Sequence, residues 1–109
     1  MTVIQLEQIS NRFYVTASGH ACYSEYGKDI VCAAVSTLIQ SFGFFCEDMQ
    51  EESKCIVRHM VFNEVDGVYI LVVEGDVNTL EPAYKMLKTG LEAIANNFPK
   101  NILLAGENN

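Results

Sequence analysis

Two side chains near the start of the chain can do chemistry together. His20 sits in a polar loop beside Gly19, and Cys32 follows twelve positions later inside the apolar run Ile30–Val35. A thiolate is a strong nucleophile and an imidazole accepts a proton near neutral pH, so the pair suits acyl transfer through a covalent intermediate. Asp29 is a good N-cap residue, which predicts a helix start there and puts Cys32 in the first turn. In that turn unpaired N–H groups and the helix dipole favour an anion, and hence a thiolate. Ser36, one turn further on, falls on the same stripe as Asp29 and Cys32. N–H groups at the same helix start are candidates for stabilising an oxyanion.

Each of these residues also has an ordinary structural reading. Cysteine is among the most buried residue types, and Ala33, Ala34 and Val35 give this one apolar neighbours. Asp29 reads first as a cap, a role compatible with orienting His20. As a cap alone it would tolerate asparagine almost without loss. A serine in the position of Ser36 more often fills a helix face than binds substrate. Residue types alone leave catalysis and core packing both open for Cys32.

The segment Gly19-His20-Ala21, the short loop ending at Gly27, and Asp29–Ser36 (DIVCAAVS) together resemble the ribosomal-processing cysteine protease (Prp) family. Gly19, His20, Asp29, Cys32 and Ser36 match the family pattern position by position. The resemblance implies an α/β fold, usually as a homodimer, and a cytoplasmic bacterial enzyme without a cofactor or metal. It implies Cys32 as nucleophile, His20 as base and Asp29 as orienter and cap. The implied substrate is the basic precursor of a large-subunit ribosomal protein, whose N-terminal extension is removed during ribosome maturation. That extension would bind as an extended segment with aromatic residues before the cleaved bond. Gly19, Ser36, Tyr23, Tyr26 and Gly27 are the candidate substrate-binding residues, although both tyrosines would serve equally well as plain surface residues. Cys22, inside the loop, lies outside the family pattern.

Composition narrows the alternatives. A chain of 109 residues is the size of one domain, so 1–109 reads as a single unit. The net charge of −7 makes a nucleic-acid phosphate surface a poor partner. The start, MTVIQLEQIS, has neither the basic nor the apolar stretch of a signal peptide, and no apolar run approaches the ~18 residues of a membrane span. The four cysteines show no CxxC spacing and read as thiols. Glu47, Asp48, Glu51 and Glu52 read as a solvated loop, with steering of a basic substrate as the sharper reading. Two non-enzymatic readings remain beside the protease: an acidic, non-catalytic module bound to a ribosomal partner, and a redox sensor built on Cys22 and Cys32.

The elements that must position these residues follow from periodicity and turn chemistry. Thr2–Ile9 and Arg12–Ala17 read as a hairpin with Ser10-Asn11 at its turn. The loop Ala21–Lys28 has few apolar anchors and sits where a gate would. Helix one is expected from about Ile30 to Cys46, with Val31, Val35, Leu38, Phe42 and Phe45 facing the core. Cys55–Val65 and Val68–Glu74 form a second hairpin closed by Asp66-Gly67, its second strand apolar enough to be covered on both faces. His59, mid-strand, is the only other candidate base. Asn78 is expected to cap helix two in a capping box with Glu81, with Pro82 in the first turn. Leu80, Tyr84, Leu87, Leu91, Ile94 and Phe98 mark that helix's core face, and Ile102–Ala105 fits a last short strand. The terminal Gly106–Asn109 should fray. The expected fold is therefore α+β, in the order ββαββα with an optional final strand, a mainly antiparallel sheet packed by two helices.

Overall fold

A computed structural model describes residues 1–105; the expectation for Gly106–Asn109 lies outside them. The order is β1 (Thr2–Ile9), β2 (Arg12–Ser18), α1 (Ile30–Glu51), β3 (Cys55–Asn63), β4 (Val68–Gly75), α2 (Val77–Asn97) and β5 (Ile102–Ala105). The strands form one sheet in the order β3-β4-β2-β1-β5, antiparallel except for β5, which runs parallel to β1. This is the expected α+β arrangement with its final strand present.

Alternation along the strands sends Ile4 and Leu6 of β1, Phe13, Val15 and Ala17 of β2, and Tyr69, Leu71 and Val73 of β4 to one buried face. Both helices pack on that face. Val31, Val35, Ile39, Phe42 and Cys46 of α1 meet Leu80, Tyr84, Leu87 and Leu91 of α2 over the sheet. Tyr84 is wedged between Phe13 and Phe42, with ring centroids 5.1 Å and 6.2 Å away. By length and composition α1 would suffice to cross a bilayer. Here its apolar stripe is the core of the fold.

Four expectations need correction. The last turn of α1 takes in Glu47, Asp48 and Glu51, so most of the acidic cluster is helical rather than loop. The second hairpin turn spans residues 64–67, and its first half is pinned by Asn63, whose side chain bonds both the Asp66 carboxylate and its N–H. The cap of α2 is Asp76, two residues before Asn78. Its carbonyl accepts from the Thr79 and Leu80 N–H groups, while Glu81 reaches across to Gln8 at 2.8 Å instead of closing a capping box. Finally, β4 is covered on one face only. Ile70 and Val72 lie on the opposite face with Val61 and Ile56 of β3, and among the described residues no helix covers that face.

Candidate active site

Asp29 organises the site. It is 7% exposed, and its carboxylate accepts four backbone N–H bonds. Oδ1 takes Val31 at 2.9 Å and Cys32 at 3.0 Å, capping α1 as the sequence predicts. Oδ2 takes Tyr23 at 2.8 Å and Ser24 at 3.1 Å, which folds the preceding loop onto the helix start. Burial alone would raise this carboxyl, but the four N–H groups win and hold it below the ordinary carboxylate range. The expected orienting contact with His20 is not made, because all four bonds go to backbone.

Cys32 sits half-buried in the first turn of α1, and its Sγ accepts from the Ala21 N–H at 3.2 Å. The expected low thiol pKa is overturned. Burial pushes the thiol up, the Asp29 carboxylate pushes it further, and the Ala21 and Cys22 N–H groups only partly offset them. The helix-start amides expected to favour an anion there are already taken. Val31 and Cys32 donate to the carboxylate, and Ala33 donates to the Asp29 carbonyl. The amides that face the sulfur come instead from the loop.

His20 follows Gly19, which has φ +89; a Cβ there would lie 2.5 Å from the Met1 carbonyl oxygen, so only glycine fits. The His20 Nε2 lies 2.9 Å from the Val65 carbonyl in the β3–β4 turn. A carbonyl only accepts, so Nε2 carries a proton, and in the neutral ring Nδ1 then has the lone pair. The Tyr26 ring packs edge-on with the imidazole at 5.9 Å between centroids. The same turn is tied down by the Gly19 N–H donating to the Gly67 carbonyl at 2.9 Å.

His20 and Cys32 thus line one open cavity of about 510 Å³ together with Gly19, Tyr26, Gly27 and Ser36. Tyr23, also expected there, points the other way and packs edge-on against Phe98 at 5.2 Å. His59 lies exposed on β3 next to a bulge and does not line the cavity. Sequence reasoning missed the far wall, made of Glu64, Gly67 and Tyr69 from the second hairpin. Cys22 also lines the cavity, whereas Cys46 and Cys55 are buried in the core. The loop is less free than its composition suggests. Ala21 is buried and its carbonyl accepts from Asn101, and Asp29 holds the Tyr23 and Ser24 N–H groups.

These bonds change what Asp29 substitutions should do. An asparagine has one acceptor atom, and its amide group would face either the two helix N–H groups or the two loop N–H groups. Asp29→Asn should therefore lower stability by about 1–3 kcal/mol, and Asp29→Ala by roughly a further 1 kcal/mol for the lost cap. Because the folded carboxyl is lowered, its contribution is complete above the ordinary carboxylate range and is lost as pH falls through the lowered value. The asparagine variant also removes a charge that raises the Cys32 thiol, so its alkylation by iodoacetamide should reach half-maximal rate at lower pH. A variant with wild-type melting and an unmoved alkylation profile would show that the clasp contributes nothing.

The family described as cysteine protease Prp matches residues 1–103. The ribosomal processing cysteine protease Prp of Mycoplasma genitalium is 33% identical over 103 residues, covering 91% of this chain and 92% of that one. Two crystal structures of the S. aureus ribosomal processing protease Prp share the fold. The complex with a covalently linked product peptide has a TM-score of 0.71 at 20% identity, covering 95% of this chain and 97% of that one. The complex with a substrate peptide has a TM-score of 0.70 at 19% identity, covering 96% and 98%.

Proposed function

Because this chain belongs to the cysteine protease Prp family and is a cysteine protease, we propose that it removes the N-terminal extension of a large-subunit ribosomal protein precursor in the bacterial cytoplasm. The observation that carries the reading is that Cys32 and His20, from different elements, line one open cavity. Its volume falls in the range of pockets that hold small ligands or a few residues of a peptide. The whole chain is acidic, which suits a basic precursor.

The shared cavity supports the following catalytic roles. Cys32 is the nucleophile and His20 the base. Nδ1 takes the thiol proton as Sγ bonds to the peptide carbonyl, then returns it to the leaving amine as the C–N bond breaks. Water hydrolyses the thioester, releasing the acid and restoring the thiol. The Ala21 and Cys22 N–H groups, which face Sγ at rest, are candidate donors for the oxyanion. Asp29 acts through backbone, holding loop and helix start together. Ser36, with Gly19, Tyr26 and Gly27, shapes the cavity for substrate. Incubating the purified protein with the precursor and weighing the products should show loss of the N-terminal segment alone. An intact precursor after prolonged incubation at micromolar enzyme would reject this substrate.

The same reading includes a homodimer. The helix-free face of the sheet supplies an apolar surface, with Ile56 and Val61 of β3 exposed beside Ile70 and Val72 of β4, and Leu103 exposed on the far edge strand. Sedimentation should give twice the chain mass, and Ile70→Lys should return the protein to monomer. A monomer for the unmodified chain at micromolar concentration would remove the dimer from the proposal.

A further inference from the structure

The β3–β4 turn carries Glu64 back over α1. Its Oε1 accepts from Gln40 Nε2 at 2.7 Å and from the Ser36 hydroxyl at 3.3 Å, while Gln40 Nε2 also donates to Ser36 Oγ at 2.7 Å. These neutral donors fix the carboxylate in the wall of the cavity that holds Cys32. Both bonds fall on one oxygen, so Oε2 keeps its acceptor positions.

Among the described residues that line the cavity there is no lysine or arginine. The other acid, Asp29, is saturated by four backbone N–H groups. Tyr69 stands close enough to Glu64 to feel its charge, and part of its otherwise buried side chain lines the same cavity. A single held carboxylate in that wall suits the ammonium or guanidinium of a long side chain. The stem can lie along the cavity wall and the charged head on Oε2. It does not suit a metal ion, since no group of three or more acidic, His or Cys ligands occurs among the described residues.

We propose that Glu64 is a specificity-determining residue that reads one lysine or arginine of the bound peptide, near the bond that Cys32 attacks. This rests on the protease reading above and adds to it the charge of one substrate side chain. Gln40 and Ser36 are positioning residues for that carboxylate, so the Ser36 hydroxyl acts on specificity through Glu64.

The test uses extended peptides in which a single lysine is moved along an otherwise neutral sequence, with norleucine as the isosteric control. In one register the wild-type protein should cleave the lysine peptide with kcat/KM about 10-fold or more above its norleucine twin at low ionic strength, the preference shrinking with salt. Glu64→Gln keeps an acceptor for Gln40 and Ser36 but should bring that ratio close to one. Glu64→Lys should invert it in favour of a glutamate peptide. Equilibrium binding of the same peptides to Cys32→Ala, with and without Glu64→Gln, reads the preference without turnover. Equal cleavage in every register, or a ratio that survives Glu64→Gln, overturns the inference while leaving the protease standing. If no peptide is cleaved, the protease reading has failed for these substrates. Binding then decides on Glu64: lysine-dependent affinity lost in Glu64→Gln supports it, and its absence overturns it.

Discussion

Cys32→Ala should leave no measurable cleavage of the ribosomal protein precursor, a loss on the order of 10⁴–10⁶-fold, the scale seen when a nucleophile is removed. The fold should survive, because Cys32 is only half-buried and its sulfur accepts only weak bonds, from the Ala21 and Cys22 N–H groups. The other thiols cannot take its place. Cys46 is fully buried, and burial pushes its thiol up to about 12. Burial also raises Cys55, whose S–H is turned onto the Cys46 carbonyl at 3.2 Å. Cys22 does reach the cavity, but it stands in the loop with φ +59 and its Sγ rests 3.5 Å from the His20 carbonyl. Cys22→Ser should therefore retain turnover, which separates a nucleophile at Cys32 from a redox pair that needs both sulfurs. The decisive measurement is single-turnover mass analysis of precursor and products for wild type, Cys32→Ala and Cys22→Ser. Appreciable cleavage by Cys32→Ala would sink the assignment, and an inactive Cys22→Ser would move the chemistry to the loop.

The helix that carries Cys32 was readable from its own residues, because an N-cap is a local device: Asp29 needs only the next three positions to make it. The same locality explains the hairpin turn at Ser10-Asn11 and the core stripe of α2. What escaped was everything that depends on a partner far along the chain. The Tyr23 ring has nothing in its own segment to say that Phe98 is its neighbour, so an aromatic beside the catalytic loop read as a groove residue. The far wall of the cavity enters from a turn 32 positions beyond Cys32, and its Asp-Gly pair announced a hairpin without saying what the hairpin would touch. Local patterning also misled where two caps competed. Asn78 and Glu81 have the right spacing for a capping box, yet Asp76 starts α2 because its carbonyl captures the Thr79 and Leu80 amides, freeing Glu81 for Gln8. The thiol's resting state was the least legible property of all. The helix dipole argument is sound for an uncapped helix start, but here a carboxylate occupies those amides and adds its own charge beside the sulfur.

That resting state makes His20 the residue with the next largest effect. A thiol raised by burial and by Asp29 is a poor nucleophile until a base removes its proton, so losing the base should be felt in kcat more than in substrate binding. His20→Ala should reduce kcat roughly 10²–10⁴-fold, the usual range for general acid–base help, with KM little changed. In the free protein the ring is held by the Val65 carbonyl through Nε2. Such a hold suits a general base, because it fixes the tautomer, leaves Nδ1 as the proton acceptor, and becomes a stronger bond once the ring is charged. Asp29 offers the ring no hydrogen bond, since its four acceptor positions are filled by backbone N–H groups. In the proposed Cys–His dyad a backbone carbonyl therefore stands in for the third member. Two consequences distinguish this from an Asp-oriented triad. The alkaline shift of thiol alkylation in His20→Ala should be reproduced at Asp29→Asn with opposite sign, because one loses a base and the other a repelling charge. His59→Ala, a change on an exposed strand position outside the cavity, should leave both kcat and alkylation at wild-type values. Full activity in His20→Ala, with activity lost in His59→Ala, would mean that the other histidine serves the thiol and that the observed cavity is not where the bond is cut.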